Sequence, residues 1–334
     1  MPRLSSRGQA QAAPLKDDVS TRQQAPNYLP VAVKFGYSHR LLNTKKPEPR
    51  MPSDPKDLYL DLMKKVLTDY LNIDSPYANG MSPEFWWNKS PLKDFRNKLI
   101  VRLLRRSHML VLRSDRLTTE QRREKRRVGS DWPFMNAQTM IGLERLENLQ
   151  RLLEDALARD VKGDLIETGV WRGGACIFMR AILKAHGITD RLVWACDSFE
   201  GLPTPDTERF PADKGTGFHE LNFLAVSQQE VAANFEKYDL LDNQVKFVKG
   251  YFEDTLADVP VEKLALMRLD GDQYGSTITA LENLYPKLSR GGYVIIDDFH
   301  LDCCRSAVND YRSAHNITDD IINIDGLGAY WQKS

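Results

Sequence analysis

The chain of 334 residues is short of several things, and each shortage excludes a class of protein. It has four cysteines, two of them adjacent at Cys303 and Cys304, and no C-x-x-C pair. A disulfide scaffold and a zinc ribbon are thereby excluded, and core or surface thiols in a reducing, cytoplasmic setting are expected. Net charge is absent: 46 basic side chains balance 46 acidic ones, so no global field draws nucleic acid. No apolar run approaches the about 20 residues that span a bilayer, and no apolar h-region follows the first residues, which argues against a secretory signal. Internal repeats are missing too. What remains is length enough for a full α/β core and an accessory segment.

The texture changes along the chain. Residues 1–55 are rich in Pro, Arg, Gln, Ala and Ser without periodicity and read as a disordered leader. "DLYLDLMKKVLTDYL" (57–71) places Leu58, Leu62, Val66 and Leu67 at helical spacing. A turn-rich, aromatic stretch follows, and residues 95–127 then read as two basic helices. The first sets Leu99, Leu103, Leu110 and Val111 against Arg102, Arg105 and Arg106. Such a helix suits a membrane surface, a partner groove or its own domain. Residues 56–129 thus form a helical, basic accessory segment.

From 130 to 334 the pattern is compact α/β. After the helical spacing of "TMIGLERLENLQRLLEDALAR" (139–159), strand-length runs alternate with helical patterns: 164–168, 192–196, 245–248, 264–270 and 292–297. Crossovers of that length predict a mostly parallel, Rossmann-like sheet covered on both faces. Ligands of such sheets sit beyond the carboxyl ends of the strands.

The first of those ends is "DLIETGVWRGGACIFMRA" (164–181), with glycines spaced G-x-x-x-G-G rather than the G-x-G-x-x-G of dinucleotide enzymes. Acidic residues end four of the strands and no P-loop lysine accompanies them, so phosphate is a poor ligand. S-adenosylmethionine, a cation with a ribose diol and no phosphate, fits better. Asp197, ending the second strand, is placed to accept from both ribose hydroxyls. The glycine turn admits backbone close to the methionine portion, and Glu167 is placed to pair with groups near the ammonium.

A second constellation is Asp270, Asp272, Asp297 and Asp298, from "RLDGDQYGS" and "IDDFH". Neighbouring parallel strands lie about 4.8 Å apart, so these carboxylates converge if their strands are neighbours, and their repulsion calls for a cation. Oxygen-only donors point to Mg²⁺, and Asp272 is then placed as general base toward a substrate hydroxyl. The same aspartates also suit turn and N-cap positions. His219, His300, Arg305 and Trp331 are weaker candidates for substrate contact.

The catalytic half resembles the macrocin-type O-methyltransferases, which methylate sugar hydroxyls of macrolide and aminocoumarin natural products. The motifs are "GSDWP", "TMIGLERLENLQ", "GDLIETGVWRGGACIFMRA", "DSFEGLP", "FHELNFLAVS", "LALMRLDGDQYGST", "LYPKLSRGGYVIIDD" and "CRSAV", in that order. The resemblance implies a class I methyltransferase fold that uses S-adenosylmethionine and Mg²⁺, assembled as a homo-oligomer. It implies metal ligands at Asp270, Asp297 and Asp298, a base at Asp272, and cofactor contacts at Met140, Glu167, Thr168, Gly169, Asp197 and Ser198. The stretch 72–127 is longer and more basic than the family pattern, which leaves the acceptor open.

The expected reaction is methyl transfer to a hydroxyl of a sugar or glycosylated metabolite. A catechol-type phenol methyltransferase and a non-catalytic scaffold of the same fold are the alternatives, and an NAD-dependent oxidoreductase is disfavoured by the glycine spacing. Residues 206–227, long and carrying Phe210, Phe218 and Phe223, are expected to form a lid.

Overall fold

The computed structural model describes residues 54–74, 91–106, 117–129 and 136–334. Nearly all of the 1–55 leader, Leu110 and Val111 of the basic stretch, and residues 130–133 of the "GSDWP" motif lie outside these. Four helices come first: α1 (Pro55–Leu67), α2 (Pro91–Arg106), α3 (Thr119–Val128) and α4 (Leu143–Ala158). The α/β succession follows as β1 (Asp164–Thr168), α5 (Gly174–Ala185), β2 (Val193–Asp197), α6 (Gln228–Glu236), β3 (Val245–Lys249), α7 (Phe252–Thr255), β4 (Leu264–Leu269), α8 (Tyr274–Leu284) and β5 (Leu288–Ile296). It closes with α9 (Asp302–Ala314), β6 (Ile322–Asn323) and β7 (Ala329–Gln332).

Seven strands form one sheet in the order β3-β2-β1-β4-β5-β7-β6. The first five are parallel, and β7 and β6 add antiparallel pairings at the β5 side. Side chains alternate across the sheet. Leu165, Ala195 and Ile295 join the core that includes α4 and α5, while Ile166, Trp194 and Ile296 join the opposite core with α8 and α9. Burial on both faces explains why β2 and β4 read as short apolar runs. Strand order reverses between β1 and β4, with β2 and β3 to one side and β5 to the other, so the crevice for a ligand opens there.

The first helix is set by its own start. Asp54 accepts from the Lys56 amide at 2.9 Å and Pro55 stands in the first turn, a pairing that fixes a helix N-terminus. Its buried stripe is Leu60, Met63 and Leu67, against α4 and α5, while Leu58 and Leu62 are more than half exposed. The helical spacing of 57–71 is therefore right; of the residues that show it Leu67 is buried while Leu58 and Leu62 are not, because the i, i+3, i+7 set meets the domain. Truncating Leu60 or Leu67 to Ala would cost about 2–5 kcal/mol each.

The basic stretch forms α2 and α3. Capping is reciprocal at the start of α3, where Gln121 donates its amide to Thr118 Oγ1 and accepts from the Thr118 amide. Among the described residues no helix is long and apolar enough to cross a membrane.

Candidate active site

The crevice is built where β1 and β4 end side by side. Gly169 leaves β1 with φ +87°, and a Cβ there would stand 1.8 Å from the Asp270 carbonyl oxygen. Only glycine lets the two strand exits touch. The Gly169 amide donates to the Cys196 carbonyl at 2.9 Å, and the Asp270 amide to the Thr168 carbonyl at 2.8 Å. At Gly174 a Cβ would lie 2.5 Å from the Gln138 carbonyl oxygen, to which this glycine's amide donates at 2.8 Å. That close approach brings the 137–141 segment, with Met140, to the wall of the crevice.

Asp197 closes the cofactor side. One carboxylate oxygen accepts from the Val170 amide and the other from the Phe199 amide, both at 2.7 Å. Burial raises its carboxyl above the usual range, against the pull of these amides and that of Trp171. Ser198 Oγ donates to the Gly201 carbonyl at 2.6 Å, fixing the turn after β2. The result is an open cleft lined by Met140, Gly169, Asp197, Ser198, Asp270 and Asp272, among others.

Glu167 and Thr168 do not line this cleft; both are buried in the sheet. Glu167 is ion-paired to Arg268 and accepts from the Cys176 thiol at 2.8 Å. Burial raises its carboxyl even so, the Arg268 charge notwithstanding.

The aspartates gather at the neighbouring strand ends. Asp270, Asp272 and Asp298 each offer an oxygen within 4.8 Å of the others. Burial raises all three carboxyls well above the usual range, and neighbouring carboxylates push the same way: Asp297 on Asp270, Asp270 on Asp272, and Asp272 on Asp298. Asp297 stands differently. Arg145 donates to its Oδ2 at 2.7 Å, and Arg268 Nη2 lies 2.6 Å from its Oδ1. Burial works against its charge, but the two guanidiniums prevail and hold its carboxyl below the usual range.

Arg268 also donates to Asp270 Oδ2 at 3.0 Å, and Arg145 Nε lies 3.0 Å from Asp325 Oδ2. Six buried or half-buried carboxylates (Glu167, Asp270, Asp272, Asp297, Asp298, Asp325) thus share the charges of Arg145 and Arg268, with Arg127 acting on Asp325 alone of the six. The excess negative charge and the all-oxygen donor set fit a hard divalent cation.

Other expected positions serve elsewhere. Trp331 is fully buried beside Tyr285, with the Arg312 guanidinium 5.0 Å from its ring. His300 donates its amide to the Leu327 carbonyl at 2.8 Å, and Arg305 donates to the Phe299 carbonyl at 3.2 Å. His219 lies in a 3-10 turn at Phe218–Glu220, and none of these four lines the cleft. The residues that sequence reasoning missed are Arg145, Arg268 and Asp213. Arg268 carried a signal, a lone charge inside the apolar strand "LALMRLD"; the other two carried none.

The sheet order, the glycine turn after β1 and the acidic residue after β2 define a class I methyltransferase, a fold that takes S-adenosylmethionine as methyl donor. The family profile described as macrocin O-methyltransferase matches residues 56–333, and the chain belongs to that family. It is 47% identical over 285 residues, 85% of this chain and 95% of the relative, to 8-demethyl-8-(2,3-dimethoxy-α-L-rhamnosyl)-tetracenomycin-C 4'-O-methyltransferase of Streptomyces olivaceus. It is 41% identical to mycinamicin III 3''-O-methyltransferase of Micromonospora griseorubida, over 85% of this chain and 99% of that one. The solved structure of the O-methyltransferase NovP superposes with a TM-score of 0.68 at 43% identity, covering 84% of this chain and 99% of the other. The protein is an O-methyltransferase.

Proposed function

We propose that this enzyme uses Mg²⁺ and transfers the methyl group of S-adenosylmethionine to a hydroxyl of a sugar carried on a natural product. The observation that carries the reading is the convergence of Asp270, Asp272 and Asp298 beside the cleft whose other wall is Gly169 and Asp197. Support for a sugar acceptor comes from the activities named for the tetracenomycin and mycinamicin relatives.

In this reading Asp270, Asp297 and Asp298 hold the cation. Asp297 keeps its place among the ligands through the lone pair that each of its oxygens retains beside Arg145 and Arg268. When bound, Mg²⁺ supplies positive charge that makes a nearby hydroxyl more acidic, and S-adenosylmethionine supplies the methyl group, its sulfur leaving with the S–C bonding pair. Asp272 takes the hydroxyl proton at its carboxylate as the new O–C bond forms. Asp197 accepts from the ribose hydroxyls, and Met140 and Ser198 complete the cofactor wall. Placement and exclusion of water supply the rate, with no covalent enzyme intermediate.

The reading assigns the transfer to residues 130–334 and an accessory role to 56–129, in a cytoplasmic homo-oligomer. Four buried, unpaired thiols support a reducing compartment. Methyl-labelled cofactor tested with mycinamicin III, demethyldecarbamoylnovobiocin, 8-demethyl-8-(2,3-dimethoxy-α-L-rhamnosyl)-tetracenomycin C and a catechol panel decides the acceptor. Label in a glycoside is expected; label in catechols alone overturns the choice.

A further inference from the structure

Asp213 lies in the middle of the 206–227 loop and is 1% exposed. A carboxylate on a surface loop is ordinarily solvated, so its burial needs a partner. The partner is the first turn of α8. The Tyr274 amide donates to Asp213 Oδ1 at 2.5 Å and the Gly275 amide to Oδ2 at 3.0 Å. The residue in the N-cap position, Gln273, provides no side-chain cap of its own; its side-chain amide donates instead to the Pro203 carbonyl at 3.0 Å. The helix is thus capped from a distance of 61 residues in sequence.

The two amides that Asp213 grips follow directly on the turn that carries Asp272. Asp272 has φ +55°, a left-handed conformation that aspartate tolerates better than most non-glycine residues. Three contacts hold it there. The Asp272 amide donates to Asp298 Oδ2 at 3.3 Å, the Cys303 thiol reaches the Asp272 carbonyl at 3.5 Å, and the Asp213 carboxylate pins the chain two residues on. Packing reinforces the last. The rings of Phe210 and Tyr274 lie 5.5 Å apart, and a Cβ at Gly275 would be 2.7 Å from the Phe210 ring. The loop is also fixed at its far end, where the Trp171 indole donates to the Phe223 carbonyl at 3.0 Å and Leu224 lines the cleft.

We propose that Asp213 is a positioning residue that sets the placement of Asp272, so that the base is aimed at the acceptor only while the 206–227 loop is seated on α8. The inference rests on the assignment of Asp272 as base. It makes one side chain report loop closure to the proton-transfer step, without itself touching cofactor or acceptor.

The test is a double-mutant cycle on the full-length, Mg²⁺-supplemented enzyme with the acceptor methylated fastest in the panel above. Asparagine offers one acceptor oxygen where the carboxylate offers two, and its NH₂ opposes the second amide. Asp213→Asn is expected to lower kcat by about 10- to 100-fold, the scale of a misplaced reacting group, and to leave the calorimetric affinity for S-adenosylhomocysteine within about twofold. In an Asp272→Asn background the same change is expected to have an effect below about threefold, because the group it positions is gone. An equal fall in both backgrounds, or an unchanged kcat, overturns the proposal.

Should Asp213→Asn fail to melt cooperatively, the contact is read from the other side. Tyr274→Pro removes the donor at a helix position that accepts proline, and Tyr274→Ala controls for the ring. The proline variant is expected to lose about tenfold more kcat than the alanine one, and parity between them overturns the proposal. A wild-type enzyme that methylates none of the panel defeats the functional reading, whereas one that turns over beside an unimpaired Asp213→Asn defeats the coupling alone.

Discussion

Two stretches of the same sheet edge use carboxylates in opposite ways. At the ends of β1 and β2, Asp197 and Glu167 are satisfied from within: one by the amides of Val170 and Phe199, the other by Arg268 and the Cys176 thiol. At the ends of β4 and β5, Asp270, Asp272 and Asp298 chiefly face one another, and burial with mutual repulsion raises their carboxyls. The first arrangement shapes backbone; the second stores unmet negative charge. A satisfied carboxylate is a structural tie, whereas a crowded one calls for a cation.

Chelating the proposed cation is the most severe way to break the comparison. EDTA is expected to abolish methyl transfer and added Mg²⁺ to restore it, since several kcal/mol of charge stabilisation correspond to about a thousandfold or more in rate. Full turnover by metal-stripped enzyme would dissolve the distinction between the two edges. Next in size is Asp272→Asn, expected to lower kcat by about 10²- to 10⁴-fold with cofactor affinity unchanged, as measured by initial rates and calorimetry. A change in affinity instead would move Asp272 into the cofactor region.

Gly169 joins the two regions, and Gly169→Ala tests the joint. Its Cβ would meet the Asp270 carbonyl in a left-handed turn, so about 3 kcal/mol or more of stability is expected to be lost in denaturant melts. A melt like that of wild type would mean that the strand exits can part without cost. The smallest effect is expected for Asp197→Ala, which should weaken S-adenosylhomocysteine binding by about 1–3 kcal/mol while sparing the metal dependence. Loss of Mg²⁺ response in that variant would show that the two edges are one site.

Much of this was legible in the chain. The strands at 193–197 and 264–269 stand out as short apolar runs because both their faces are covered, and the acidic residues after them mark the ligand edge. The closing β7 was not legible. "AYWQ" is too short to signal a strand, and it pairs antiparallel with β5 only because the chain returns after α9. The buried face of α1 was not legible for a related reason: Leu58 and Leu62 keep the period as well as Leu60 and Met63 do, and only the neighbouring helices choose between them.

The sequence by itself determined the class of fold, the glycine turn and the set of acidic residues at the strand ends, because local period, turn chemistry and strand length are properties of neighbours in the chain. Only the tertiary structure decided which carboxylates are free and which are held. Asp297 and Asp298 are adjacent in sequence, yet Arg145 and Arg268 take the first and Asp272 meets the second. Charge pairing in a buried site acts through space at a few ångströms. The partners come from a helix about 150 residues earlier and from the adjacent strand, distances that no reading of local pattern spans.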